Sequence, residues 1–310
     1  MASKASRRET ADSPPEPRGI EVGFSPCPND TFLFHALVTE KVPTPGIRWQ
    51  PRIEDVEVLN RLALERKLPV TKISFHAYGH VRDSYALLSS GAALGRGCGP
   101  LLVARKDALA FVSGRRASSA GARGLLDARI AIPGQWTSAA LLLRLYAPEL
   151  TPGQLVEMPF HRIMESVARG EADAGLIIHE SRFTYQDHGL LSLVDLGAWW
   201  EEKTGLPIPL GGIVADRRLG REALLTVEDS LRKSVIHARL HPEESTEYVR
   251  RHAQEISAEV IRAHIDLYVN DFTEDLGVEG RKAVSVLFKK AEEEGIVPRY
   301  HGPLGAFGTP

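Results

Sequence analysis

The stretch 19–38 constrains the fold more than any other part of the chain. GIEVGF at 19–24 has the apolar character of a strand, Pro26 and Pro28 interrupt it, and a helical apolar pattern follows from Thr31 to Val38. Proline fixes φ and removes a backbone donor, so the strand stops and the connection is stiff. Asn29 or Asp30 stands where a side-chain oxygen can cap the helix by accepting from its free N–H groups. A strand that passes through a rigid loop into a helix N-terminus is the unit of open α/β sheets, and such loops are where these sheets hold ligands. Taken alone, the segment is a capped turn that carries one thiol, Cys27.

The rest of the chain repeats the alternation. Strand-like runs at 20–24, 70–73, 100–104, 129–132, 175–178, 191–195 and 212–215 are separated by helical patterns at 55–65, 74–81, 138–146, 160–169 and 222–240, with two more helices at 257–268 and 280–294. The class is therefore α/β. Two breaks interrupt it, a Ser/Arg/Ala/Gly stretch at 108–124 and a Gly/Pro stretch at 203–212, and each lies beside a strand. We read them as two chain crossings between two lobes. Residues 19–106 and 212–310 would form a larger, discontinuous lobe and 107–211 a smaller one, with a ligand cleft between them. Residues 1–18, polar and rich in proline, read as a disordered tail without the apolar core of a secretory signal.

Composition narrows the partners. With 38 basic against 40 acidic residues the chain has no strong positive field, which argues against nucleic acid. No apolar run is long enough to span a bilayer, so no membrane partner is expected. Two cysteines, Cys27 and Cys98, without paired spacing fit a cytoplasmic protein and no structural zinc. An exposed sheet edge or helix face could pair two copies, so a homodimer stays open.

The chemistry-bearing residues sit at strand ends. ADAGLIIHE at 172–180 is a buried strand ending in His179 and Glu180, and since side chains alternate faces on a strand these two point in opposite directions. An imidazole at a sheet rim suits proton abstraction near neutral pH, and equally suits a hydrogen-bonded structural role. Lys72 offers a positive charge for a carboxylate, and Ser74 begins a helix that favours anions. Thr137 and Ser138 repeat that arrangement in the middle segment, so opposed helix starts could clamp one ligand. Cys27, at a helix start, could be an acidic thiol. GAALGRGCG at 91–99 precedes a strand rather than a helix and is no phosphate loop. His76 and His80 are four apart without a third ligand, which points to packing. His161, His188, His237 and His264 have no distinguishing context.

Several segments together resemble one family: SPCPNDTF at 25–32, EDVEVLNR at 54–61, TKIS at 71–74, SGAALGRGCGP at 90–100, GLIIHESRFTY at 175–185 and DLGAWWEEKTGLPIPLGGI at 195–213. They look like the 1,4-dihydroxy-6-naphthoate synthases of the futalosine route to menaquinone, over about Gly19 to Glu294. The tail and 117–124 look like additions. The resemblance implies a two-lobed, type II periplasmic-binding-protein-like fold used as a cytosolic enzyme. It implies cleavage of cyclic dehypoxanthinyl futalosine to the naphthoate, without metal or organic cofactor. It makes His179 the base and Lys72, Ile73 and Ser74 a substrate-contacting segment. Thr137 and Ser138 match a threonine pair, with serine a mild departure, and Asn60 is a weaker match. The alternatives are a non-catalytic binding protein for a small carboxylate, or the related chorismate dehydratase.

Overall fold

The computed structural model describes residues 17–107, 125, 127–253 and 257–305. The tail expected over the first residues, apart from positions 17 and 18, and the break at 108–124 lie outside them. No helix among the described residues is long and apolar enough to cross a membrane.

Two sheets carry the molecule. The first contains β1 (Arg18–Phe24), β2 (Ile47–Ile53), β3 (Val70–Ser74), β4 (Tyr85–Leu87), β5 (Ala93–Gly95) and β11 (Ile208–Asp216). Its order is β2-β1-β3-β11-β4, with β5 also paired to β11. The second contains β6 (Leu101–Arg105), β7 (Ile130–Ile132), β8 (Leu155–Glu157), β9 (Ala174–Ile177) and β10 (Leu190–Asp195), in the order β10-β6-β9-β7-β8. The same pattern stands in both: three parallel strands, then an antiparallel one, β11 beside β3 and β6 beside β9.

The main helices are α1 (Pro28–Val38), α2 (Val56–Leu64), α3 (Phe75–Val81), α4 (Ser138–Tyr146), α5 (Phe160–Ala168), α6 (Leu196–Thr204), α7 (Arg221–Leu240), α8 (Ala258–Tyr268) and α9 (Gly277–Glu293), with a further helix at Thr246–His252 and shorter helical turns between. They cover both faces of the first sheet. Leu33 and Phe34 of α1 and Val227 and Leu231 of α7 pack on Val22 and Phe24 from one side. Phe75 and Tyr78 of α3 meet Leu287 and Phe288 of α9 on the other. Burial on both faces is why VTKIS of β3 is buried at every position. The second sheet is covered by Ile163 and Val167 of α5 on one face and by α4 with Trp200 of α6 on the other.

Sheet pairing corrects the expected crossing points. The strand at 101–105 hydrogen-bonds to β9 and β10, so it joins the sheet of the middle segment rather than the outer one. The return strand starts at Ile208, before the expected boundary. Alternation locates a strand but not its partners, which explains the misplacement. The changeovers therefore fall at 96–100 and 196–207, and they touch each other. A Cβ on Gly99 would lie 2.2 Å from the backbone nitrogen of Gly197, an approach only glycine permits. At the tail end, Arg18 is paired with Ile47, so it belongs to the first sheet rather than to the expected tail.

Candidate active site

The carboxyl ends of β1, β3, β7 and β9 converge on a cavity of about 90 Å³ between the two sheets. Ser25, Asn29, Asp30, Lys72, Ile73 and Ser74 form one wall. Thr137, Ser138, Ile178 and His179 form the opposite one, and Tyr268 of α8 closes an end. Asn60 and Cys27 lie behind this surface.

On the larger side the polar groups are committed to one another. Asp30 does not cap α1; it lies inside its first turn, where the N-cap position belongs to Cys27 without a side-chain bond. Its Oδ2 accepts from the Ser25 backbone N–H at 3.2 Å and the Ser25 hydroxyl at 2.7 Å. Its Oδ1 accepts from Asn29 Nδ2 at 2.9 Å and Lys72 Nζ at 3.0 Å. The expected free charge on Lys72 is thus balanced by Asp30, both being buried. Lys72 also donates to Gly91 O at 2.9 Å, which leaves one ammonium hydrogen for the cavity. Ser74 holds the N-cap position of α3, yet its hydroxyl caps nothing. Asn60 is its fixture: Oδ1 accepts from Ser74 N at 2.9 Å and Nδ2 donates to Ser74 Oγ at 3.2 Å.

On the smaller side the hydroxyls expected to grip a ligand serve the protein. Thr137 caps α4 by accepting from Ala140 N at 3.2 Å and donates to Gly134 O at 2.8 Å. Ser138 Oγ accepts from Phe75 N at 2.9 Å and donates to Leu210 O, so it clasps the smaller half to the larger one. Glu57 adds a second clasp by accepting from Trp136 N at 3.2 Å. Its burial pushes the carboxyl up to about 7, against the hydrogen bond from Asn60. His76 and His80 pack against Trp136, with burial holding His76 down at about 3.

His179 is built differently. β9 ends at Ile177, and His179 turns back with φ of 55°, in the left-handed region that strains a non-glycine residue. The alternation expected to separate His179 from Glu180 therefore does not operate. Both side chains instead turn toward Cys27, and one ligand atom from each of the three lies within 4.8 Å of the others. His179 Nδ1 is 3.3 Å from Cys27 Sγ, and its Nε2 is buried without a partner. Phe160 packs edge-on to the ring at 5.1 Å. Cys27 is not an acidic thiol. Burial pushes it well above the ordinary range, helped by the Glu180 and Asp30 carboxylates, and so it is neutral.

His264 and Glu180 complete the cluster, and sequence reasoning missed His264. Its Nε2 is 2.9 Å from Asn29 Oδ1, its Nδ1 is 3.9 Å from Glu180 Oε2, and burial holds its pKa well below the ordinary value. The available signal was its place with Ile261 and Tyr268 on the buried face of α8.

A family model described as "Menaquinone biosynthesis" matches residues 20–293. The chain belongs to the menaquinone biosynthesis family. A relative from Thermus thermophilus, named 1,4-dihydroxy-6-naphtoate synthase, is 52% identical over 285 residues, which are 92% of this chain and 98% of that one. A relative of the same name from Streptomyces coelicolor is 45% identical over 283 residues, covering 90% and 95%. The solved structure of an Archaeoglobus fulgidus protein superposes with a TM-score of 0.78 at 37% identity over 90% of this chain and 98% of that one. The alkanesulfonate-binding protein SsuA from Xanthomonas axonopodis matches with a TM-score of 0.63 at 13% identity, over 92% and 96%. At that identity it shares the fold: the menaquinone biosynthesis chain has the two-sheet, periplasmic-binding-protein-like architecture.

Proposed function

We propose that the chain forms 1,4-dihydroxy-6-naphthoate by cleaving cyclic dehypoxanthinyl futalosine, with His179 as general base. Family membership supports the product. The observation that carries the base is the partnerless, buried Nε2 of His179, a residue in the wall of the cavity between the two sheets. With Nδ1–H directed at the neutral Cys27 sulfur, Nε2 holds the lone pair. It removes a proton from the substrate's ring skeleton, carbon–carbon cleavage releases a sugar-derived fragment, and aromatisation of the second ring draws the step forward. General-base help of this kind contributes about 10²–10⁴-fold.

Both walls position the substrate. The remaining Lys72 hydrogen and the Ser74 hydroxyl face a carboxylate, and the Ser138 and Ala139 N–H groups at the start of α4, which no i−4 carbonyl uses, face developing oxyanion charge. A cavity of 90 Å³ is smaller than the ~300–1,000 Å³ of ordinary ligand sites, so substrate is admitted only when the halves part at the Ser138 and Glu57 clasps. Reclosure then excludes water.

The test is incubation of the purified chain with cyclic dehypoxanthinyl futalosine, followed by the naphthoate absorbance. Product is expected from the native chain. His179→Asn should turn over ~10²–10⁴-fold more slowly at an unchanged melting temperature. Turnover by that variant at the native rate would reject the base. Consumption of chorismate in place of the futalosine derivative would reject the substrate.

A further inference from the structure

Two buried acceptors face each other behind His179. Asn29 Nδ2 donates to Asp30 Oδ1, which fixes the Asn29 amide with its oxygen toward His264. His264 Nε2 therefore carries the hydrogen given to Asn29 Oδ1, and Nδ1 presents a lone pair. That lone pair stands 3.9 Å from Glu180 Oε2, and neither atom has a hydrogen-bond partner. His264 is fully buried and the Glu180 side chain is 9% exposed. A proton or a cation between them removes the conflict. The Cys27 sulfur and the His179 imidazole beside them select the cation, because thiolate, imidazole and carboxylate together form the donor set of a borderline-soft metal.

We propose that Cys27, His179 and Glu180 form a binding site for a divalent cation of the zinc class. The spacing fits. Donors around a tetrahedral zinc lie about 3.3–3.6 Å apart, and Cys27 Sγ is 3.3 Å from His179 Nδ1. On binding, the Cys27 S–H bond breaks, the metal–sulfur bond forms, and the proton leaves to solvent. The donors come from both halves of the molecule, Cys27 at the head of α1 and His179 with Glu180 after β9. A bound cation thus staples the cleft shut.

The consequence for turnover rests on the reading of His179 as base. A cation on Nδ1 leaves the neutral ring's hydrogen on Nε2, the position that must accept a proton. Occupancy and catalysis then exclude each other, and the site inhibits.

The experiment titrates the chelator-treated full chain with Co²⁺ and reads thiolate-to-cobalt charge-transfer absorption. A stoichiometric band is expected, bleached when Zn²⁺ displaces the cobalt, together with a raised melting temperature. Cys98→Ser should keep the band and Cys27→Ser should lose it. If Cys27→Ser does not fold, Glu180→Gln serves instead and should weaken cobalt binding at least about tenfold. Absence of a band in excess cobalt, or a band retained by Cys27→Ser, overturns the site. Turnover of the native chain is measured in parallel with Zn²⁺ and after chelation. Inhibition that chelation reverses supports both readings. A band without inhibition keeps the site and overturns His179 as base.

Discussion

The two halves of the molecule share a topology and divide the chemistry. Strands β2-β1-β3-β11 of one sheet match β8-β7-β9-β6 of the other, so the loops after β1 and β3 correspond to those after β7 and β9. No repeat of residues accompanies this repeat of connections. In the larger half, Asp30 receives four hydrogen bonds and its partner Lys72 is anchored twice. In the smaller half, His179 Nε2 and Glu180 Oε2 have no partner, a condition that His264 Nδ1 shares where the larger half meets them, and His179 sits on strained backbone. A fully satisfied polar network is rigid and presents its remaining donors in fixed directions. A reactive group must stay uncommitted. One half is therefore a frame and the other holds the chemistry, and closure brings them together.

That contrast is broken most directly at its two poles. His179→Asn should lower kcat by about 10²–10⁴-fold with thermal unfolding unchanged. Asp30→Asn should do the reverse in kind. Removing one partner of a buried ion pair costs about 3–5 kcal/mol, because Lys72 is left as an uncompensated charge. Urea unfolding of Asp30→Asn should show a lowered midpoint at an unchanged slope. If Asp30→Asn instead kept native stability and lost only turnover, the frame would itself be part of the chemistry.

The seam between the halves sharpens the comparison. Gly134 has φ of 152°, and a Cβ there would lie 2.4 Å from Glu57 Cδ. Gly134→Ala should strain the closed form by about 1–3 kcal/mol and appear as a raised KM for the substrate. Glu57 gives the seam a pH dependence. Its folded pKa of about 7 exceeds the ordinary 4.5, so between those values the folded chain binds more protons than the unfolded one. Stability should therefore fall as pH rises from about 4.5 to about 7. Glu57→Gln should flatten that part of the melting-temperature profile; an identical slope in the variant would assign it to other groups.

The frame was more legible in the sequence than the chemistry. β1 and β3 are legible as short apolar runs next to turn and cap signals, although Glu21 and Lys72 interrupt them, and the stiff loop at Pro26 and Pro28 marks where the first one ends; β2, with Arg48, Gln50, Pro51 and Arg52 along it, carries no such run and is missed. β4, β5 and β8 are three residues long and show no period; β7 is as short but is legible because all three of its residues are apolar. The allegiance of β6 is decided by hydrogen bonds to β9 and β10, which no local pattern encodes. Asp30 looked like a cap because capping is the local use of an aspartate there; its real partner, Lys72, is on another strand. Strand alternation puts Glu180 on the wrong side because β9 ends at Ile177 and the backbone has already turned at His179. His264 reaches the site from α8, far along the chain, and only tertiary packing unites it with Asn29.

The smallest effect is expected where the halves meet in water. Arg61 of α2 donates to Glu157 of β8 at 2.5 Å, a bridge between the halves in the same sense as the Glu57 clasp, but the two side chains are 47% and 38% exposed. Solvent screens such a pair, and ordering two long side chains offsets most of the attraction, so exposed bridges contribute ~0–1 kcal/mol. Arg61→Ala should change the melting temperature and KM little, and what change there is should vanish at high salt. The clasps at Ser138 and Glu57, made to backbone N–H groups away from solvent, should be far less sensitive to salt. A large, salt-sensitive loss in Arg61→Ala would mean that closure is held from the rim by charge. The buried clasps would then follow closure rather than hold it.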